Sequence, residues 1–393
     1  MPFASIEEAL ADFRAGRMLV VVDDEDRENE GDLTLAAEMA TPEAINFMAV
    51  HGRGLVCLAL AADLCERLRL PLMTPNNTSN FGTAFTESID AREGVTTGIS
   101  AADRAHTIRL AMRETTRPED LARPGHVFPL RAREGGVLVR AGQTEAAVDL
   151  ARMCGLRPGG VICEIMNPDG SMSRVPELKE FCAVHGLKMI SVAELIRYRL
   201  QHERFVQRTG QGKIQTAFGE FETYSYSSLV DPEQHIALVL GDVSAQDEVL
   251  VRMHSHCVYG DVFGSTECDC QRLVRDSLRR IAEEGRGVLV YLHQTGPGLR
   301  RERDAQGTVR LVSHSRGFMH YATPDGQRLL QHEVGVGAQI LRDLGLRRIR
   351  LLTNHPRKLV GLEGFGIEVA GQAPVNTAQE PVANSATGRP SDA

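Results

Sequence analysis

Residues 18–32 read MLVVVDDEDRENEGD. The apolar run 18–22 is short, uninterrupted and rich in β-branched residues, so it reads as a buried strand. A ten-residue segment, 23–32, follows at once, and seven of its side chains are carboxylates. Like charges this dense repel, and folding alone does not ask for them. An average acidic run of this kind is a solvated turn. This one is interrupted by Arg27, Asn29 and Gly31, which can pair with the acids or permit tight turns. It also sits at the C-terminal end of a strand, where α/β sheets place ligands. Clustered carboxylates suit a hard divalent cation such as Mg²⁺ or Mn²⁺. They also suit proton transfer, because neighbouring carboxylates raise one another's pKa.

Outward from this stretch the chain alternates strand and helix patterns. TPEAINFMAVHG (41–52) reads as a helix capped by Thr41, opened by Pro42 and stopped by Gly52. GLVCLAL, GGVICEIM and LKMISV read as strands, and GGVLVRAG as a strand and then a turn. AAVDLARMCG, PELKEFCAVHG and VAELIRYRLQHE read as helices, the last behind a Ser191/Glu194 capping box. The polar segment 204–213 reads as a linker. Beyond it, EQHIALVLGDV, EVLVRMHSHC, RGVLVYL and LRRIRLLTN are strand-like, while LVRDSLRRIAEEG and VGAQILRDLG are helical. The alternation predicts an α/β (mixed α+β) protein of two domains, 1–205 and 206–372, each a mixed sheet layered with helices. A tail, 373–393, has no apolar pattern and is expected to be disordered.

The 393 residues suffice for two cores, with 42% apolar and 24% charged side chains. A formal net charge of −8 argues against nucleic acid or an anionic membrane as the main partner. No apolar run approaches the roughly 18 residues of a membrane span, and the start of the chain lacks the apolar core of a secretory signal. The eight cysteines are scattered, unlike a disulfide scaffold. The expectation is a reduced, cytoplasmic protein.

Further motifs carry chemistry. NNTSNFGTAFT and GVTTGISAADR are rich in glycine and hydroxyl residues, which let backbone N–H groups approach a phosphorylated or polyhydroxylated ligand. RPGHVFPL puts His126 between a Pro-Gly turn and a strand. A lone histidine is more often structural, but one on a rigid turn is an acid–base candidate. RAGQTEA offers Arg140, turn N–H groups and Thr144 beside a helix start, a combination that binds phosphate. Glu164 ends an apolar strand, where a carboxylate is costly unless paired or used.

Together, DDEDRENEGD, NNTSNFGTAFT, EGVTTGISAADR, RPGHVFPLRA and GGVLVRAGQTEAAVDL resemble the signature blocks of 3,4-dihydroxy-2-butanone 4-phosphate synthase, over about residues 5–204. The resemblance implies conversion of D-ribulose 5-phosphate to 3,4-dihydroxy-2-butanone 4-phosphate and formate with Mg²⁺ or Mn²⁺. It implies that Arg27, Glu28 and Asp32 contact substrate, with Glu28 also a metal ligand. It implies that Arg140, Ala141, Gly142, Gln143 and Thr144 hold the phosphate end. His126 and Glu164 would be essential for catalysis, Glu164 also touching substrate, and the protein a homodimer with sites near its interface. Gln143 stands where that family usually has a metal-binding histidine; its side-chain oxygen can still bind the cation.

In the second half Cys257, Cys268 and Cys270 form a C-x10-C-x-C array. Buried thiols are one reading and an open zinc site is the other. The stretch MHSHCVYGDVFGSTECDCQRL resembles the zinc motif of GTP cyclohydrolase II, and the likeness extends over about 213–370. The chain departs from that family where its charged groups lie. Thr295 stands for a Glu, Pro297 for an Arg, Leu330 and His332 for a catalytic Asp and Arg, and His256 for the Glu before the first cysteine. Lys358 is retained. These losses imply a degenerate cyclohydrolase-like domain that keeps Zn²⁺ without turnover. The competing expectations are a bifunctional enzyme that also hydrolyses GTP, and a binding or oligomerisation module.

Overall fold

The computed structural model describes residues 3–24, 27–79, 81–229, 234–244, 248–266, 268–293, 299–303, 308–313, 324–354, 362 and 365–375, the side chains of 299–303, 309–313 and 324–333 excepted. The chain divides into two compact units, Met1–Glu203 and Arg204–Ala393. Each is an α/β unit built on a mixed seven-stranded sheet.

The first unit runs α1 (Ile6–Arg14), β1 (Leu19–Val22), β2 (Gly31–Ala36), α2 (Pro42–Phe47), β3 (Cys57–Leu60), α3 (Ala62–Arg67), β4 (Ile89–Ala91), α4 (Ala101–Met112), β5 (Leu121–Arg131), α5 (Gln143–Met153), β6 (Gly159–Glu164), α6 (Val175–His185), β7 (Lys188–Ser191) and α7 (Val192–His202). The strand order is β4-β5-β3-β6-β2-β1-β7. β1 is parallel to β7 and antiparallel to β2, and β2 is antiparallel to β6. The apolar run 18–22 is uninterrupted because β1 serves two cores. Val20 and Val22 pack with Ile45, Met48, Ile108 and Leu178, while Leu19 and Val21 pack with Phe13, Leu150 and Leu195 on the other face. Successive side chains point to opposite faces, so a strand covered on both sides shows no alternation.

Two local expectations fail here. The helix after Thr41 starts as expected, with Thr41 Oγ1 accepting the Ala44 N–H. It then widens to a π-turn, Met48–Gly52, and the left-handed residue is Arg53, at φ 69°. Arg53 forms an antiparallel bridge with Ile165 and donates from its guanidinium to the Met166 carbonyl at 2.9 Å, which holds the unusual φ. Gly52 instead permits close packing, since a Cβ there would meet Cys163 Sγ at 3.0 Å. GGVLVRAG is no strand. Gly135 and Gly136 both adopt positive φ, and the buried Asp149 carboxylate takes the Val137 N–H at 2.7 Å, so the segment folds into a 3₁₀ turn.

The second unit runs β8 (Val206–Thr216), β9 (Gly219–Ser228), β10 (Gln234–Leu240), β11 (Val249–Ser255), α8 (Cys270–Glu284), β12 (Gly287–Leu292), β13 (Leu299–Arg303), β14 (Val309–Ser313), α9 (Pro324–Asp343), β15 (Arg348–Leu352) and β16 (Glu368–Ala373). The sheet order is β16-β15-β11-β12-β10-β9-β8, with β13 and β14 paired separately. The expected linker 204–213 is largely β8, an edge strand paired with β9 along its length. Most of its side chains face solvent, so it carries no apolar signal. The expected tail begins too early: Ala373 ends β16, and Val375 is buried in the core with Phe221, Leu250 and Leu289. Residues 376–393 lie outside the described residues.

Candidate active site

The acidic loop is folded by one of its own carboxylates. Asp23, buried at the end of β1, accepts the Glu30 N–H at 2.9 Å and the Arg27 guanidinium at 2.5 Å. Arg27 also pairs with Glu28 at 2.8 Å and lies over the Phe81 ring. From the start of α6, Arg174 donates to the carbonyls of Glu28 and Asn29. Asn29 sits at φ 54°, a conformation asparagine tolerates better than most residues. Gly31 leaves room for Leu178, which a Cβ would strike. Sequence and tertiary packing therefore fix this loop, and the remaining acids project from it. Glu25 and Asp26 lie outside the described residues.

Those acids converge with Glu164. Asp32 on β2 and Glu164 on β6 are register partners, so their side chains share a face. Burial pushes the Asp32 carboxyl well above the usual carboxylate range, and the charges of Glu164, Glu28, Asp23 and Glu30 add to it. Glu28 and Glu30 are raised too, first by burial, with Arg27 opposing the shift at Glu28. Glu164 Oε2 accepts the Leu55 N–H at 2.8 Å. Gly54 makes that approach feasible, because a Cβ there would lie 2.5 Å from Oε2 and 2.6 Å from the Glu164 carbonyl oxygen. Such a group can hold a proton on one carboxyl while its neighbour stays charged.

His126 lies on β5, and its partner is Asp90 on β4, a residue the sequence reading passed over. Asp90 accepts the His126 N–H at 3.0 Å and faces the ring Nδ1 at 2.7 Å. Among the described residues, no hydrogen bond or ion pair joins His126 to Glu28, Asp32 or Glu164 of the same chain. In the hydroxyl-rich segment after Gly94 some of the donors are engaged within the fold. Asp103 in α4 collects the Thr96 N–H at 3.1 Å, the Thr96 hydroxyl at 2.6 Å and the Gly98 N–H at 3.1 Å. The Thr96 hydroxyl above all holds its carboxyl down, to about 2. Those donors are spent on folding the loop.

Residues 140–144 lead into α5. Arg140 pairs with the buried Glu145 at 2.6 Å and reaches the Phe81 carbonyl at 3.2 Å, tying the 74–83 loop to the helix. Gly142 is the extended N-cap, Thr144 is buried in the first turn, and Ala141 packs on the core beside α1. The Gln143 amide donates to the carbonyls of Val21, at 2.8 Å, and Glu30, at 3.3 Å. Its Oε1 is buried with no hydrogen-bond partner among the described residues. A buried amide oxygen is costly to leave unpaired. Together with Glu28 on the same acidic loop it supplies hard oxygen donors, which suit Mg²⁺ or Mn²⁺.

In the second unit, Cys257, Cys268 and Cys270 bring their sulfurs within 4.8 Å of one another. The Cys257–Cys268 separation is 3.8 Å. A tetrahedral zinc–thiolate centre with bonds of ~2.3 Å has sulfur–sulfur edges of about that length, so the three thiols fit zinc. Gly260 lets them close, since a Cβ there would overlap Cys268 Sγ. Burial and then the neighbouring thiols raise Cys270, a penalty a bound cation would lift. Beside them Asp261 accepts from His254 at 3.1 Å, Tyr291 at 2.6 Å and the Cys257 N–H at 2.8 Å. Burial works against its charge, yet these donors bring it below the ordinary carboxylate value. His256 stacks on His293 with ring centroids 5.0 Å apart. Thr295, Pro297 and Lys358 lie outside the described residues, and Leu330 and His332 fall in the part of α9 whose side chains are not described.

Asp90 and Arg174 were missed because each acts on a backbone or ring far away in sequence, and Asp23 because its task is to fold its own loop. Spacing gives no sign of them; only for Asp23 did its place at the strand end offer a hint.

Fold and site together define a two-unit α/β protein, with a cluster of carboxylates in the first unit and a three-thiol pocket in the second. Residues 7–198 match the family described as 3,4-dihydroxy-2-butanone 4-phosphate synthase, and residues 207–374 match GTP cyclohydrolase II. The riboflavin biosynthesis protein RibBA of Aquifex aeolicus is 50% identical over 387 residues, covering 96% of this chain and 94% of that one. The bifunctional riboflavin biosynthesis protein RIBA 1 of Arabidopsis thaliana, chloroplastic, is 48% identical over 378 residues, covering 95% and 69%. Among solved structures, RibBX of A. baumannii, titled a two domain 3,4-dihydroxy-2-butanone 4-phosphate synthase, is 41% identical. It matches with a TM-score of 0.75 over 94% of this chain and 99% of its own. The chain belongs to the riboflavin-biosynthesis family in which a 3,4-dihydroxy-2-butanone 4-phosphate synthase domain precedes a GTP cyclohydrolase II domain. No described helix is long and apolar enough to cross a membrane.

Proposed function

We propose that the first unit is a lyase that converts D-ribulose 5-phosphate to 3,4-dihydroxy-2-butanone 4-phosphate and formate. The observation that carries this reading is the Asp32–Glu164 pair at the foot of the acidic loop. Burial and the neighbouring charges raise the Asp32 carboxyl directly opposite Glu164, and such a pair suits removal of a proton next to a carbonyl and return of one to departing water. Arg27, Glu28, Asp32 and Glu164 bind the sugar end. Residues 140–144 and the N-terminus of α5 take the phosphate. His126 acts in catalysis from β5. Among the described residues it shares no bond with Glu28, Asp32 or Glu164 of its own chain, and a homodimer that builds sites between copies would bring them to one substrate. Glu28 and Gln143 Oε1 would hold Mg²⁺ or Mn²⁺, which supplies positive charge beside the substrate oxygens. The assignment is tested by formate release from D-ribulose 5-phosphate. His126→Ala and Glu164→Gln should each lower kcat by roughly 10²-fold or more, the scale of acid–base groups.

The second unit is read as a cytoplasmic chain's zinc-holding remnant that does not open GTP. Thr295, Pro297, Leu330, His332 and His256 replace charged groups on which a GTP site depends, and hydrogen bonds to charged groups are worth about 1.5–3 kcal/mol each. The A. baumannii RibBX protein, a two domain 3,4-dihydroxy-2-butanone 4-phosphate synthase, is in keeping with this reading. The bifunctional relative in Arabidopsis favours the alternative, a second unit that still hydrolyses GTP. Formate release from GTP by zinc-replete protein separates the two.

A further inference from the structure

We propose that Asp90 is a positioning residue of the synthase reaction: it fixes His126 as the Nδ1–H tautomer and presents Nε2, lone pair outward, to the substrate. The proposal rests on the synthase reading and adds a residue and a protonation geometry to it.

Asp90 grips His126 twice, through the backbone N–H at 3.0 Å and through Nδ1 at 2.7 Å. A carboxylate only accepts, so the ring nitrogen facing it is the donor. The far nitrogen, Nε2, then carries the lone pair. The His126 side chain is 44% exposed, against 12% for Asp90. The surroundings leave the pair little freedom. A Cβ on Gly98 would overlap the Asp90 carboxylate and lie 2.6 Å from His126 Nδ1. Gly98 is itself held by Asp103 at 3.1 Å. Gly125 lies so close to the Ile89–Asp90 backbone that any side chain would collide, and its N–H donates to Ser88 at 3.1 Å. On the other side of Asp90, the Ala91 N–H donates to Thr107 at 2.9 Å. Two strands and a pinned loop thus aim one imidazole. A carboxylate that orients a catalytic histidine through Nδ1 and supports the charge it gains is a recurring device for acid–base work.

The test uses the full-length chain with ¹⁵N-labelled histidine. Long-range ¹H–¹⁵N spectra should show His126 as Nδ1–H, with a low-field proton that disappears in Asp90→Asn. That variant should lose roughly 10²-fold in kcat with KM changed by no more than about threefold, and Asp90→Glu should recover at least about a tenth of wild-type kcat. An Nε2–H tautomer in the wild type overturns the proposal, and so does an Asp90→Asn enzyme with kcat within about threefold of wild type. If that variant is active while His126→Ala is inactive, Asp90 is structural only and the synthase reading stands. If His126→Ala is itself fully active, the underlying reading fails. Should Asp90→Asn not fold, the wild-type tautomer decides alone.

Discussion

Asp32 and Glu164 oppose each other across β2 and β6, and the buried member of the pair has its carboxyl raised well above the ordinary range. The folded chain therefore keeps this proton at pH values where the unfolded chain has released it. Stability from this group is fullest at acid pH and declines as pH rises past the ordinary aspartate range toward the folded value. Asp32→Asn removes the decline. Its Tm should exceed that of the wild type by a few degrees near pH 7–8 and match it near pH 4. Its kcat should fall by roughly 10²-fold or more. Thermal unfolding across pH, with activity measured beside it, checks both halves. A variant less stable at neutral pH would mean that Asp32 is held charged by partners rather than strained by burial.

Gly54→Ala should damage the same centre without touching a titrating group. The new methyl would need the space of Glu164 Oε2 and of the Glu164 backbone, so β6 or the 53–55 segment has to shift. The expected cost is about 1–3 kcal/mol of stability, as for other overpacked sites. The loss in kcat should exceed what the fall in Tm explains. Denaturant unfolding and steady-state kinetics on the one variant measure the two effects.

Gln143→His should keep or raise activity and tighten Mn²⁺ binding. The present side chain spends its amide on Val21 and Glu30 and leaves Oε1 without a partner among the described residues. An imidazole can likewise donate from one nitrogen and keep the other as a ligand, and nitrogen suits Mn²⁺ better than an amide oxygen does. Titration of free Mn²⁺ by electron paramagnetic resonance compares the two proteins. An inactive variant that binds no more tightly would show that Gln143 has another task.

How much of this was legible beforehand depended on the kind of signal. β1 announced itself because four adjacent apolar residues divide between two cores. β8 did not, because an exposed edge strand needs neither apolar face nor alternation. GGVLVRAG looked like a strand by composition, but two left-handed glycines and the reach of Asp149 turned it into a loop. In the site, Glu28, Asp32, His126 and Glu164 stood out as charge or imidazole where packing alone gives no reason for either. Asp90 is an ordinary acid in SIDAREG until β4 pairs with β5 and brings it to His126. Asp103 engages the Thr96 and Gly98 donors of the hydroxyl-rich loop, a role that composition alone does not reveal.

The thiol pocket should hold up to one zinc per chain. Cys257, Cys268 and Cys270 are already spaced for tetrahedral ligation. Replacing all three by serine should remove the metal and leave formate release from D-ribulose 5-phosphate unchanged. GTP turnover by the zinc-replete wild type should not exceed that of the triple variant. Metal analysis and a GTP assay settle the point, and turnover above that background would establish the bifunctional alternative.

The most direct measurement is product analysis on the purified full-length chain given Mg²⁺ and D-ribulose 5-phosphate. The account predicts formate and 3,4-dihydroxy-2-butanone 4-phosphate in equal amounts, because a five-carbon substrate divides into one carbon and four. It also predicts that both products vanish together in Glu164→Gln. Undiminished product formation by Glu164→Gln, or no consumption of the sugar phosphate by folded, metal-replete wild type, would contradict it.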